Sequence, residues 1–449
     1  MNFTRRLALF ANQGISFDSL PCQVVALSKE MMIDAAAVGL AGAAQDEGRT
    51  LTGLLQEMGG NGKCTVIGMG IRTSPIYAAL ANASLIHLLE FDNEIASNGS
   101  HATAVIFPVV MALAELNGNS GQDVLTAFSL GCETAAKLDA WATPPSGNMS
   151  PTPFSQGVAL AIGAAVAGGR LLGLSVEQME RAIGLAAGQT HGPAVTFATP
   201  ARAMQYGQAA MAGIMAALLA QRGFGDNRSV YPGEPFVVDS GTDQESFFGS
   251  LANPFAIVDP GLSIKLYPCP SAGHTAIDAL LQLMQQHQFQ ASQIDSVTVS
   301  VTPEVLNSLP YVEPKDPWQS RFSLNYITAQ TLLHGQPLIE QFSDPMFQDP
   351  AVKELMNRIA AISEEVPTPL ADQPATVTLR LSGGRELEQR VEHARGGPEF
   401  PLDQVELHAK FLYCARHIMT PDHIQGTIEQ FRDLENILDA TGLSSILGA

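Results

Sequence analysis

The chain has 449 residues, with 24 Lys and Arg against 44 Asp and Glu and a formal net charge of -20. Hydrophobic residues make up 46% and charged residues 15%, enough to bury a large core, which excludes a mainly disordered protein. No basic run is present to release phosphate counterions, which argues against nucleic acid and against an anionic membrane surface.

Taken in chain order, Thr4-Arg5-Arg6-Leu7 superficially looks like a twin-arginine export signal. The apolar run after it stops at Ala11, short of a signal h-region, so a first amphipathic helix is expected instead. Helical periodicity then predicts helices at Leu27–Gly39, Pro75–Leu89, Ala102–Leu116, Gly121–Leu138, Gln156–Leu172, Val176–Ala187 and Ala201–Gln221. Ser175 and Gln178 fit a capping box, and Gly173 fits the C′ position of the helix before it. The run Gly157–Leu172 has no polar face, which predicts a helix buried on all sides.

After about residue 265 the texture changes. Asp295–Thr302 and Ala375–Leu381 alternate apolar and polar residues as half-buried strands do. Ser382-Gly383-Gly384 supplies a turn to Glu386–Glu392, which predicts a hairpin. Helices are expected between the strands at His274–His287, Leu324–His334 and Val352–Ile359, and again in the tail at Gln404–His417 and Asp422–Leu438. The fold class is therefore mainly α, with an α+β region in the middle.

The familiar motifs fail. Gly59-Gly60-Asn61-Gly62-Lys63 lacks the first glycine and the Ser or Thr of a phosphate loop. Gly68-Met69-Gly70 lacks the dinucleotide spacing. The five cysteines are scattered, odd in number and without a C-x-x-C, which predicts a reduced, cytoplasmic setting with neither disulfides nor a zinc site. No apolar run is long enough to suggest a membrane span.

Four constellations remain. His87–His101 packs Glu90, Asp92 and Glu94 close to His101, with a turn at Asn98-Gly99-Ser100 and a helix starting at His101. A histidine there can help bind an anion or move a proton, or can simply cap the helix. Arg202 opens an otherwise uncharged helix and should have an anionic partner, either a structural one or a substrate carboxylate. Ser263–Asp278 is a proline-fixed loop carrying Lys265, Tyr267, Cys269 and His274; Cys269 has no base at a recognisable spacing. Gln319–Tyr326 places Arg321 and Tyr326 around a helix start, where a capped helix with a core tyrosine is the plainer reading.

Together these segments resemble the MmgE/PrpD family, which includes 2-methylcitrate dehydratase, cis-aconitate decarboxylase and iminodisuccinate epimerase. The resemblance is clearest in H-L-L-E-F-D at His87–Asp92, G-S-H-A-T-A-V-I-F-P at Gly99–Pro108 and A-G-G-R-L-L-G-L at Ala167–Leu174. It continues in K-L-Y-P-C-P-S-A-G-H-T-A-I-D at Lys265–Asp278 and F-S-L-N-Y at Phe322–Tyr326. It implies a large all-helical domain from residues 1–265 and 400–449, with a smaller α+β lid domain inserted at 266–399. It also implies a homodimer, a site in the cleft between domains, no metal or organic cofactor, and a small di- or tricarboxylate substrate.

Carried over by position, Asp92, His101, Lys265 and Tyr326 are the expected catalytic residues. His101 would transfer the proton, Lys265 would partner a substrate carboxylate or enediolate, and Tyr326 would donate a hydrogen bond. Arg202, His274 and Arg321 are the expected substrate-binding residues. Two departures stand out. The histidine that precedes a proline in the dehydratase and decarboxylase branches falls at about Phe154, and a Lys-Pro-Leu-His stretch reads Arg202-Ala203-Met204-Gln205 here. Arginine grips a carboxylate bidentately but cannot serve as a base near neutral pH. The expectation is a cofactor-independent dehydratase or decarboxylase. The alternatives are an epimerase or isomerase of a small dicarboxylate and a degenerate carboxylate-binding member.

Overall fold

Along the N-terminal part of the chain, helices start where a capping residue meets an apolar run. In the computed structural model, which describes residues 1–58, 62–96, 99–142, 156–189, 197–225, 244–364 and 373–448, Asn2 caps helix α1 (Phe3–Gln13) by accepting the Arg5 N–H. This is the first amphipathic helix expected from the sequence. It is followed by α2 (Cys22–Ala43), α3 (Asp46–Met58), and α4 (Pro75–His87), which is capped by Ser74. Then come α5 (Ala102–Asn117), α6 (Gly121–Ala142), α7 (Gln156–Leu171), α8 (Val176–Ala187) and α9 (Pro200–Gln221). The capping box at α8 forms as expected: the Ser175 hydroxyl accepts from the Gln178 N–H, and the Gln178 side chain accepts from the Ser175 N–H. Gly173, at φ 62°, takes the left-handed conformation that ends α7's turn.

Two compact units divide the chain. The first comprises Met1–Leu88, Asp92–Leu262 and Asp403–Ala449, and the second Leu89–Phe91 and Ser263–Leu402. In the first, α7 lies against α5, α6, α8 and α9. It is buried from Val158 to Gly169, which accounts for its lack of a polar face.

Small residues let these helices approach closely. Gly42 on α2 is the sharpest case, because a Cβ there would fall 2.0 Å from the Leu85 carbonyl oxygen on α4. Gly42→Ala gains about 1 kcal/mol of helix propensity but forces the two backbones apart, at a cost of about 1–3 kcal/mol or more. The expected outcome is a net loss of stability, read as a lower urea midpoint.

The second unit is built on a four-stranded sheet of β1 (Ile294–Val301), β2 (Ile359–Ser363), β3 (Ala375–Leu381) and β4 (Glu386–Val391), in the order β2-β1-β3-β4. β1 pairs antiparallel with β3, and β3 with β4, through the expected hairpin. Val297, Val299 and Val301 are buried, as are Val377 and Leu379. Helix α10 (His274–Gln286) covers β3 and β4 and packs on α11 (Leu324–His334).

The tail helix expected to Leu438 ends at Arg432, and the segment around Ile359 departs further from the expectation. The helix expected over Val352–Ile359 stops earlier, as α12 (Pro350–Met356), and Ile359 opens β2, parallel to β1. Two alanines in Ile359–Ser363 read as helix formers, and an exposed Ile362 spoils the alternation. Pairing with β1 therefore decides this segment, not its own pattern.

The chain then forms α13 (Gln404–Ala415) and α14 (Pro421–Arg432), which belong to the first unit and pack on α2. Among the described residues no helix is long and apolar enough to cross a membrane.

Candidate active site

The centre of the first unit's constellation is a buried carboxylate. Asp92 is wholly inaccessible, and two imidazoles converge on it. His101 Nδ1 lies 2.9 Å from its Oδ2, and His87 Nδ1 lies 3.2 and 3.3 Å from its two oxygens. Burial by itself pushes the Asp92 carboxyl up. The charges of His101 and His87 and their hydrogen bonds outweigh that and hold it well below the usual carboxylate range. An ionised carboxylate only accepts hydrogen bonds, so both Nδ1 atoms carry protons and each Nε2 is the nitrogen that can exchange one. Glu94 Oε2 stands 3.5 Å from His101 Nε2, so an acidic group flanks each side of this ring. The donor atoms of His87, Asp92 and His101 lie within 4.8 Å of one another, the separation of a three-ligand metal cluster. Their direct N···O distances are nonetheless those of two N–H groups sharing one acceptor.

This arrangement follows from where the chain turns. His87 ends α4, and His101 sits at the N-cap of α5. The segment between is fastened by Asn93, whose N–H and Nδ2 donate to Asp34 Oδ2 on α2 (3.0 and 2.9 Å). Asn93 Oδ1 accepts from the Thr103 hydroxyl on α5 at 2.6 Å. Asp34 is itself paired with Lys410 on α13 at 2.5 Å, both buried. Asp92 and His101 are thus each one or two residues from a tethered neighbour. The turn residue Asn98 and Phe154, near which the family resemblance leads one to expect a histidine, lie outside the described residues.

Arg202 opens α9 and is half-buried. Its guanidinium lies over the rings of Phe197 and Tyr206 at 5.8 and 5.7 Å, and Nη2 is 3.4 Å from the Tyr206 hydroxyl. Tyr206, one turn further along α9, stacks on His87 with ring centroids 3.6 Å apart. The first unit therefore brings together Asp92, His101 and Arg202, three of the residues the sequence singles out.

It also adds side chains that sequence reasoning missed: Tyr206, Gln156 and Asp139. Asp139, on α6, accepts from Gln156 Nε2 at 3.3 Å. Burial pushes its carboxyl up to about 6. Hydrogen bonds from Gln156 and Ser100, and the charges of His101 and Arg202, pull only partly the other way. A lone Asp in the apolar stretch Leu138–Trp141 was the available signal.

Between the ordinary carboxyl value of 3.8 and about 6 the folded state holds the proton more tightly than the unfolded state, so ionisation of Asp139 costs stability that is regained as pH falls through 6. Asp139→Asn is expected to raise stability by about 2–3 kcal/mol above pH 7. The gain should shrink toward pH 4, as measured by thermal unfolding across that range.

The second unit holds the other four expected residues. Lys265 is fully buried, with Nζ 3.0 Å from Glu90 Oε1. Glu90 reaches it from a residue with φ 54°, a left-handed conformation unusual for a non-glycine. His274 starts α10, with Nε2 3.2 Å from the Cys269 carbonyl oxygen and its ring edge-on to Tyr267 at 4.8 Å. The Tyr326 hydroxyl donates to the Gln341 carbonyl at 2.5 Å and accepts from Gln330 Nε2 at 2.7 Å. Ser323 caps its helix by accepting the Tyr326 N–H, which is the capped helix with a core tyrosine that the residues alone suggest. The Arg321 guanidinium stacks over Trp318 at 4.7 Å and over Phe342 at 5.4 Å. Cys269 is buried.

Residues 5–245 match the MmgE/PrpD N-terminal domain, and residues 267–436 match the MmgE/PrpD C-terminal domain. The chain belongs to the MmgE/PrpD family. Within it, the chain is similar to the cis-aconitate decarboxylase of Homo sapiens, at 25% identity over 454 residues, covering 97% of this chain and 93% of the relative. It is similar to a cis-aconitate decarboxylase-like protein of Aspergillus oryzae, at 25% identity over 95% of this chain and 94% of the relative. It is also similar to the cis-aconitate decarboxylase of Aspergillus terreus, at 24% identity over 97% of this chain and 94% of the relative. MmgE/PrpD membership thus rests on nearly the whole chain, not on one motif.

Proposed function

We propose that this MmgE/PrpD protein is a cofactor-independent lyase acting on a small polycarboxylate, with decarboxylation of cis-aconitate as the first candidate reaction. The observation that carries the proposal is the buried Asp92–His101 pair, beside Arg202, in a chain whose full-length relatives are named cis-aconitate decarboxylases. In such a reaction the C–C bond to one carboxylate breaks and CO2 leaves. The electron pair left behind spreads through the adjacent double bond onto the carbon bearing another carboxylate. Cationic donors aimed at the carboxylate oxygens stabilise that charge, and Arg202 is the group suited to it. The His101 imidazolium then gives its proton to the carbon, forming the new C–H bond, and solvent returns a proton to the ring. Asp92 stabilises the imidazolium and fixes its tautomer throughout. Lys265, with its ammonium on Glu90, and Tyr326, whose hydroxyl donates to the Gln341 carbonyl, are engaged within their own unit, so the proposal routes no step through them, and His274 and Arg321 keep only the substrate-binding role that the family resemblance implies.

A second reading is epimerisation of a small dicarboxylate. It is favoured by one observation: Asp92 holds two imidazoles, with ring centroids 4.7 Å apart, and each can carry a proton. The two readings part on one experiment. The protein is incubated with cis-aconitate, methylcitrate and smaller dicarboxylates and followed by NMR with CO2 detection. A lyase releases CO2 or water, whereas an epimerase exchanges a carbon-bound proton without loss of mass. No turnover and no exchange with any acid would defeat both.

A further inference from the structure

Arg202 holds its position through a directional chain of hydrogen bonds that runs across three helices. Gln156, at the start of α7, places Nε2 3.2 Å from the Gly99 carbonyl oxygen and 3.3 Å from Asp139 Oδ2. Both neighbours are acceptors, so the amide nitrogen must face them and Oε1 must face the other way. Oε1 lies 3.0 Å from the Tyr206 hydroxyl. An amide oxygen cannot donate, so Tyr206 gives its proton to Gln156. The phenol oxygen is then left as an acceptor, and Arg202 Nη2 stands 3.4 Å from it. The same ring stacks on His87 at 3.6 Å and meets His101 edge-on at 5.7 Å. Tyr206 is almost wholly buried, so the ring has one packed position.

We propose that Tyr206 is a positioning residue for substrate binding: with its proton committed to Gln156, its oxygen orients the Arg202 guanidinium toward a substrate carboxylate. The inference rests on the reading of Arg202 as a carboxylate-binding group. A guanidinium must be held in plane to grip a carboxylate with two parallel bonds, whereas an ammonium acts as a point charge and needs no such guide. Tyr206 lies on the same helix face as Arg202, four residues on, which is the spacing at which one side chain can steer another.

The test uses tricarballylate, a saturated tricarboxylate that cannot lose CO2 by the allylic route, titrated calorimetrically into the intact protein. Tyr206→Phe keeps the ring on His87 and removes the hydroxyl, and with it both the acceptor for Arg202 and the donor to Gln156. It is expected to weaken binding about tenfold, on the scale of one hydrogen bond to a charged group, while kcat with the working substrate changes little and KM rises. Gln156→Leu should weaken binding similarly, and the double variant should add little further, because both changes break one chain. Arg202→Ala is the reference for complete loss. If Arg202→Ala abolishes binding while Tyr206→Phe stays within twofold of wild type, the positioning role is overturned and the Arg202 reading stands. If kcat falls in Tyr206→Phe with binding unchanged, the role is also overturned. If Arg202→Ala binds as wild type does, or the wild-type protein binds no tricarballylate, the Arg202 reading fails and the inference fails with it.

Discussion

His101→Gln is expected to lower kcat by about 10²–10⁴ while KM changes only a few-fold. Glutamine keeps a polar group of similar reach at the start of α5 but cannot take up or release a proton near neutral pH. Asp92 keeps its pairing with His87 Nδ1 at 3.2 Å but loses the His101 charge and hydrogen bond that help hold its carboxyl down, so the loss combines the missing proton with a changed local charge. Arg202 is untouched, and substrate binding should survive. Steady-state kinetics on the working acid would read the split. A fall of less than tenfold in kcat would mean that another group moves the proton, and His87, on the same carboxylate, would be the first to examine.

The largest expected effect on stability is at Lys410. Its ammonium is buried against Asp34 Oδ1 at 2.5 Å, while Asp34 Oδ2 holds the Asn93 N–H and amide nitrogen. Lys410→Met leaves a buried carboxylate with hydrogen bonds but no counter-charge, and is expected to cost about 3–5 kcal/mol. Urea unfolding should show it as a large drop in midpoint. Replacing both partners, as Asp34→Asn with Lys410→Met, keeps an acceptor for Asn93 and removes the stranded charge, so most of the loss should return. The same pair bears on activity, because Asn93 ties the Asp92 turn to Thr103 at the start of α5. A Lys410→Met protein that folds should therefore lose some kcat as well.

What the sequence made legible follows from how local each signal is. The buried α7 was readable because one segment carries its whole pattern, and β1, β3 and β4 were readable from strict alternation. Strand β2 was not, since Ile359–Ser363 owes its form to the neighbouring β1. The pairing of Asp92 with His101 was approachable because both lie in one short stretch that resembles the family. Asp139, Gln156 and Tyr206 come from three helices, and each alone looks like an ordinary polar residue on an apolar helix. The counter-ion of Lys265 was equally hidden, because Glu90 lies 175 residues away in sequence and the loop around Lys265 gives no hint of it. Local periodicity reports the burial of a face, and partner choice across helices is set only by packing.

In the proposed reaction His101 delivers a proton to carbon as a small polycarboxylate breaks down. Proton NMR of the protein with cis-aconitate in D2O, run beside His101→Gln, tests it most directly. The expected result is CO2 release and a five-carbon unsaturated diacid carrying one solvent-derived deuterium on carbon, with the rate falling steeply in the variant. Unchanged cis-aconitate, or deuterated product formed at the same rate by His101→Gln, would contradict it.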